Sequence, residues 1–137
     1  MKEQTNAEIL REAYARWDAC KGADLAMWDD YVTEGIKLYS MAAGAHGLDF
    51  STARSGRDEL HSYLRELTSA FEMEHWTMHE TISEGDRVVG LGVTAWICKA
   101  TGKRVETPVA IVCKFRGRQV CECREFYDSA SLAAAVC

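Results

Sequence analysis

The chain has 137 residues, 47% of them apolar, which is enough to bury one core in a domain of the commonest size. With 16 Lys and Arg against 21 Asp and Glu the net charge is −5, and the basic residues are scattered, which argues against nucleic acid as the partner. No apolar run approaches the ~20 residues that span a bilayer, and Met1–Asn6 lacks the apolar stretch of a signal peptide, so no membrane partner and a cytoplasmic location are expected.

Thr5 and Glu8 have capping-box spacing, and Ile9, Leu10, Ala13, Tyr14, Trp17 and Cys20 recur along one helical stripe, predicting an amphipathic helix that ends near Lys21-Gly22. Asp24 is placed to cap a second, shorter helix with Leu25, Trp28 and Val32 inward. Gly35 then releases a strand over Ile36–Met41. Residues 42–55 read as a long loop of the kind that forms pocket rims, although its polar residues His46 and Asp49 are assigned no role. Ser55 and Asp58 open a third helix, with Leu60, Tyr63, Leu64, Leu67 and Phe71 on one face.

Beyond Phe71 the period is that of strands. Glu74–Ser83, Arg87–Cys98, Val105–Phe115 and Gln119–Tyr127 are four runs joined by short Gly-containing links, which make antiparallel hairpins. Pro108 removes one backbone donor, so its strand must bend, bulge or lie locally at an edge. Helices first and a meander last is an α+β order, and residues 1–137 form one domain: three N-terminal helices packed on a strongly curved, mostly antiparallel sheet.

The six cysteines lie mostly in apolar strands of a chain that needs no staples, and they are expected as reduced thiols. Cys121-x-Cys123 is not a CxxC, and a zinc site would have to recruit His75 or His79 from another strand, so no metal is expected. No Gly-rich nucleotide motif is present and no cofactor is expected. In Arg87–Cys98, Val89, Leu91, Val93, Ala95 and Ile97 fill one face, while Val88, Thr94, Trp96 and Cys98 leave little charge on the other. A strand of this kind is covered twice, and a homodimer through the open sheet face is the expected second cover.

Trp17-Asp18-Ala19, Gly22-Ala23-Asp24-Leu25, Glu84–Val89, Thr101-Gly102-Lys103 and Glu125–Asp128, taken in order from about Asn6 to Ala130, resemble the SnoaL-like polyketide cyclases. These belong to the cone-shaped superfamily of ketosteroid isomerase and nuclear transport factor two. The resemblance implies a cone open to an apolar ligand, and frequent dimers, but no particular reaction. Ketosteroid isomerase uses a carboxylate base and an oxyanion hole of a tyrosine and a protonated carboxylic acid. The acid's position falls at Ile111 or Ala110 and the base's near Tyr39 or Ser40, none of them a carboxyl group. The tyrosine's position falls between Ala13 and Arg16, near Tyr14. That isomerase mechanism is therefore not expected, even on the same scaffold.

The expected partner is a small apolar molecule, with Tyr14, Trp17, Trp28, Tyr63, Trp96 and Tyr127 as substrate-binding rings from helices and sheet. Two residues are assigned catalytic roles, Glu125 and His79. Alternation puts Cys121, Cys123, Glu125 and Tyr127 on one face, and Glu122, Arg124, Phe126 and Asp128 on the other. Facing the cavity, Glu125 is a lone carboxyl with a raised pKa; the alternatives are a rim residue paired with Arg, or a turned register with Glu122 and Asp128 inward. The SnoaL-like resemblance implies a catalytic aspartate on this same strand. His79 shares a face with His75, Thr77 and Thr81, opposite Trp76, Met78 and Ile82, and a histidine there could exchange protons. Acid-base isomerisation, cyclisation or hydration is one reading; a binding module without chemistry or a protein-interaction domain is the other.

Overall fold

A computed structural model describes residues 3–137. Helix α1 (Asn6–Cys20) opens on the capping box, Thr5 accepting from the Glu8 amide while the Glu8 side chain accepts from Thr5. It stops where Lys21 turns left-handed at φ 50°. The second element is only a six-residue 3-10 turn, Leu25–Asp30, and the Asp24 side chain caps nothing. Its inward residues are Met27 and Trp28, whereas Leu25 is only half-buried and Val32 already belongs to strand β1 (Val32–Ser40). Thus the expected second helix is too short to close α-helical bonds, and the strand begins before Gly35.

The chain continues through turns into a 3-10 turn at Asp49–Ser51, the two-residue strand β2 (Arg54–Ser55), and helix α2 (Arg57–Ala70). Gly56 occupies the cap position of α2, and Ser55 uses its amide to bond the Glu59 carboxylate at 2.8 Å. Strands β3 (Phe71–Glu84), β4 (Arg87–Cys98), β5 (Arg104–Arg116) and β6 (Gln119–Tyr127) follow as the expected meander. A final helix, α3 (Ser129–Val136), was not expected; Asp128 caps it by accepting from the Ser131 amide at 3.1 Å.

The six strands form one sheet in the order β2-β1-β6-β5-β4-β3, with only the β1–β6 pair parallel. Helix α1 packs on β3 and β4, α2 bridges β1 and β3, and α3 lies against β5 and β4. The concave side of the sheet therefore receives the helices. Pro108 keeps its β4 partner Val93, but β6 pairing of β5 begins only at Val109, so the proline lies at a local edge.

Bulges decide which side chains face inward. One skips His79, so that Met78 opposes Gly92 and Glu80 opposes Leu91. Beyond it Ile82 pairs with Val89 on the convex side and is 55% exposed, not on the Trp76 face as strict alternation required. Another skips Cys121 between the pairs Lys114–Glu122 and Phe115–Val120. Cys121 therefore leaves the Cys123 face, and its thiol bonds the Lys114 carbonyl. All six cysteines are free. No helix of the described residues is long and apolar enough to cross a membrane.

Candidate functional site

Between α1, α2 and the concave sheet lies a cavity of about 100 Å³. All six rings expected to bind substrate, Tyr14, Trp17, Trp28, Tyr63, Trp96 and Tyr127, lie in its wall. Sequence reasoning missed Trp76, Phe50 and Phe71 as wall residues. Trp76 points into the cavity from the β3 face opposite His75 and Thr77, and Phe50 comes from the rim loop. Tyr14 stacks at 4.2 Å on Trp76 and meets Trp28 edge-on at 5.1 Å. The Trp28 indole N–H has no hydrogen-bond partner and sits among the rings of Tyr14, Trp17 and Tyr31.

Glu125 lies in the cavity wall, and the alternative with Glu122 and Asp128 as inward acids does not occur. Register places it beside Ser40 of β1 on one side and Ile111 of β5 on the other. Ser40 is one of the two residues, with Tyr39, where the isomerase resemblance would put its base, and Ile111 one of the two, with Ala110, where it would put its protonated acid. Here the carboxyl group stands on the strand between them.

The Tyr63 hydroxyl donates to Glu125 Oε1 at 3.3 Å, and Met41 N–H anchors the Glu125 carbonyl at 3.0 Å. Burial disfavours the charge and raises the Glu125 pKa to about 7, against a smaller lowering by the Tyr63 hydrogen bond. The Tyr14 and Tyr63 hydroxyls are pushed well above their ordinary values, by burial first and then by neighbours that include this carboxylate. A second polar corner adjoins it: Ser40 Oγ and Tyr127 OH share a hydrogen bond of 2.5 Å, and the Ala42 amide donates to Tyr127 at 3.3 Å. Below Glu125, Cys113 and Cys123 oppose each other with sulfurs 3.5 Å apart.

His79 does not join this group. It is exposed, and the face it was assigned with His75 and Thr77 is the convex one, opposite the cavity-lining Trp76. His75 is also outside the wall, half-buried beside Thr77 and Glu106. Among the described residues no group of three or more His, Cys, Asp and Glu side chains could hold a metal ion.

A curved sheet wrapped by helices around an aromatic cavity defines a cone of the nuclear transport factor two-like class. The chain belongs to the SnoaL-like domain family, whose model matches residues 10–123. An NTF2-like protein of Burkholderia thailandensis is similar over 98% of this chain and 99% of its own, at 23% identity and TM-score 0.82. A Catenulispora acidiphila protein of ketosteroid isomerase-like fold, solved in complex with trimethylamine, covers 90% of this chain and 91% of its own at 18% identity and TM-score 0.75. A Jannaschia protein described as a candidate SnoaL-like polyketide cyclase covers 99% and 96%, at 17% identity and TM-score 0.74. At these identities the likeness is one of fold. No curated protein matches the chain.

Proposed function

We propose that this protein binds a small, largely apolar molecule in the cone and exchanges a proton with it through Glu125, in an isomerisation, cyclisation or hydration. The observation that carries the reading is a carboxyl group set in the wall of an aromatic cavity with one phenol as its partner, where burial raises its pKa to about 7 and lets it both give and take a proton at neutral pH. The fold of polyketide cyclase-like relatives is compatible with such chemistry but does not specify it. The cavity limits size: about 100 Å³ is the order of an engineered cavity that holds benzene, roughly 150 Å³, and below the ~300 Å³ of ordinary drug-sized pockets. The trimethylamine held by the Catenulispora protein is also a small ligand. A substrate of about one ring is therefore favoured over a fused polycycle.

The test is exchange of carbon-bound hydrogen for deuterium, followed by NMR, in one-ring ketones with and without an amine substituent. Wild-type protein should catalyse exchange next to the carbonyl of at least one of them, and Glu125→Gln should reduce the rate by at least 100-fold, the scale of acid-base catalysis. Exchange unchanged in the variant refutes the role of Glu125. Binding without exchange leaves the cone as a non-catalytic binding module, a reading favoured by the presence of only one carboxyl group in the wall.

A further inference from the structure

Every side chain that faces the Glu125 carboxyl group is neutral or acidic. Tyr14 approaches from α1, Ser40 from β1, Tyr63 from α2, Cys113 and Ile111 from β5, and Cys123 and Tyr127 from β6 itself. Among the described residues no Lys, Arg or His lies in the wall. Two arginines, Arg54 of β2 and Arg124 of β6 itself, are engaged elsewhere. Arg54 lies 5.9 Å from the centre of the Tyr63 ring and pairs with Glu66 at 2.6 Å, while Arg124 covers Tyr39 at 4.3 Å and lies 3.6 Å from Glu122. An anionic form of Glu125 is thus solvated by one phenol and by nothing positive.

The remaining wall supplies what a cation needs. Aromatic rings present electron-rich faces, and attraction to an organic ammonium is strongest for Trp and grows when the pair is desolvated. Four of the wall rings are the four tryptophans of the chain, Trp17, Trp28, Trp76 and Trp96. A half-buried carboxylate without a counter-charge in the wall of an aromatic box of about 100 Å³ is complementary to one kind of molecule. We propose that the ligand is a small organic cation, a protonated amine on an apolar group of about one ring, whose charge pairs with Glu125 while its carbon faces pack on the tryptophans. This rests on the same cavity as the proposed function and names its substrate class. It also gives the substrate a part in activation: an opposite charge within ~4–6 Å favours the carboxylate by about 1–3 pKa units. Binding converts the half-protonated acid into a base, and the released proton leaves to solvent.

Three probes of one shape test the idea with the full chain: cyclohexylamine, cyclohexanol and cyclohexanecarboxylate, measured by titration calorimetry between pH 5.5 and 8.5. The amine stays protonated throughout, its pKa lying near the ~10.4 of a lysine. At pH 8 it should bind at least tenfold more tightly than the alcohol, and the carboxylate should not bind. Below pH 7 the advantage should shrink about tenfold per unit as Glu125 takes up its proton. At pH 7, repeating the titration in buffers of different ionisation enthalpy should reveal release of about half a proton per amine bound. Glu125→Gln should bring amine and alcohol within twofold of each other; if that variant does not fold, the wild-type proton release decides. An alcohol that binds as tightly as the amine, or amine binding without proton release, overturns the cation while leaving the cavity reading intact. Failure of all three to bind overturns both.

Discussion

Replacing Glu125 by Gln should change how stability depends on pH, and the size of the change follows from the site. The group's pKa is about 7 in the folded chain against an ordinary 4.5, so the folded state holds the proton more tightly than the unfolded state. Stability from this group is therefore greatest below about pH 4.5 and declines as pH rises toward 7, the reverse of a salt-bridged carboxylate. A shift of about 2.5 units amounts to roughly 3.4 kcal/mol above pH 8, and roughly 2.5 kcal/mol of it falls between pH 5 and 8. Glutamine keeps the shape and an oxygen for the Tyr63 hydroxyl but has nothing to titrate. Its amide will cost a fixed amount if left unpaired, about 1–3 kcal/mol, and a fixed cost does not tilt the curve. Urea unfolding at pH 5, 6, 7 and 8 should show the variant gaining about 2.5 kcal/mol on the wild type across that range. Parallel curves would show that Glu125 is either solvated or paired, and the argument for its chemistry would fall with it.

Two further outcomes concern the sheet. A Cβ on Gly92 would overlap the Thr77 backbone carbonyl, whereas one on Gly90 meets mainly the movable end of Met78. Gly92→Ala should therefore cost at least about 3 kcal/mol in urea unfolding and Gly90→Ala distinctly less, and equal costs would contradict the tight β3–β4 approach. The convex face carries half-buried Val89, Leu91, Val93, Ala110 and Val112, beside Ile82 and Phe126 at 55% and 42% exposure. Pairing brings Val89 against Val112, Leu91 against Ala110 and Ala110 against Phe126, so they adjoin one another. A homodimer through this face is expected at micromolar concentration in sedimentation and should dissociate in Leu91→Arg. A wild-type monomer would remove the claim.

The family resemblance implied the cone, whereas local pattern alone determined α1 and α2, the bounds of β4 and β6, and the long loop as a cavity rim. These features follow from capping residues, from period 3.6 or 2, and from glycines at the links, all of which act over a few neighbours. The six aromatic wall residues were legible for the same reason, since each lay on an apolar stripe or beside one. The 3-10 turn at Leu25–Asp30 was not, because a short segment whose Asp24 side chain makes no cap bond is shaped by the packing of Met27 and Trp28 rather than by its local pattern.

Only the tertiary structure decided the parity of β3 and β6. A bulge adds one residue to one strand and leaves no periodic trace in the sequence, yet it exchanges every face beyond it. Thus Ile82 moved to the convex side, His79 stands exposed next to the convex face of His75 and Thr77, and Glu125 shares the inward face of Cys123 and Tyr127 because no bulge separates them. The raised pKa of Glu125 belongs to the assembled cone as well. It depends on Tyr14, Ser40, Tyr63 and Ile111 arriving from four other elements, and on none of them bringing a positive charge.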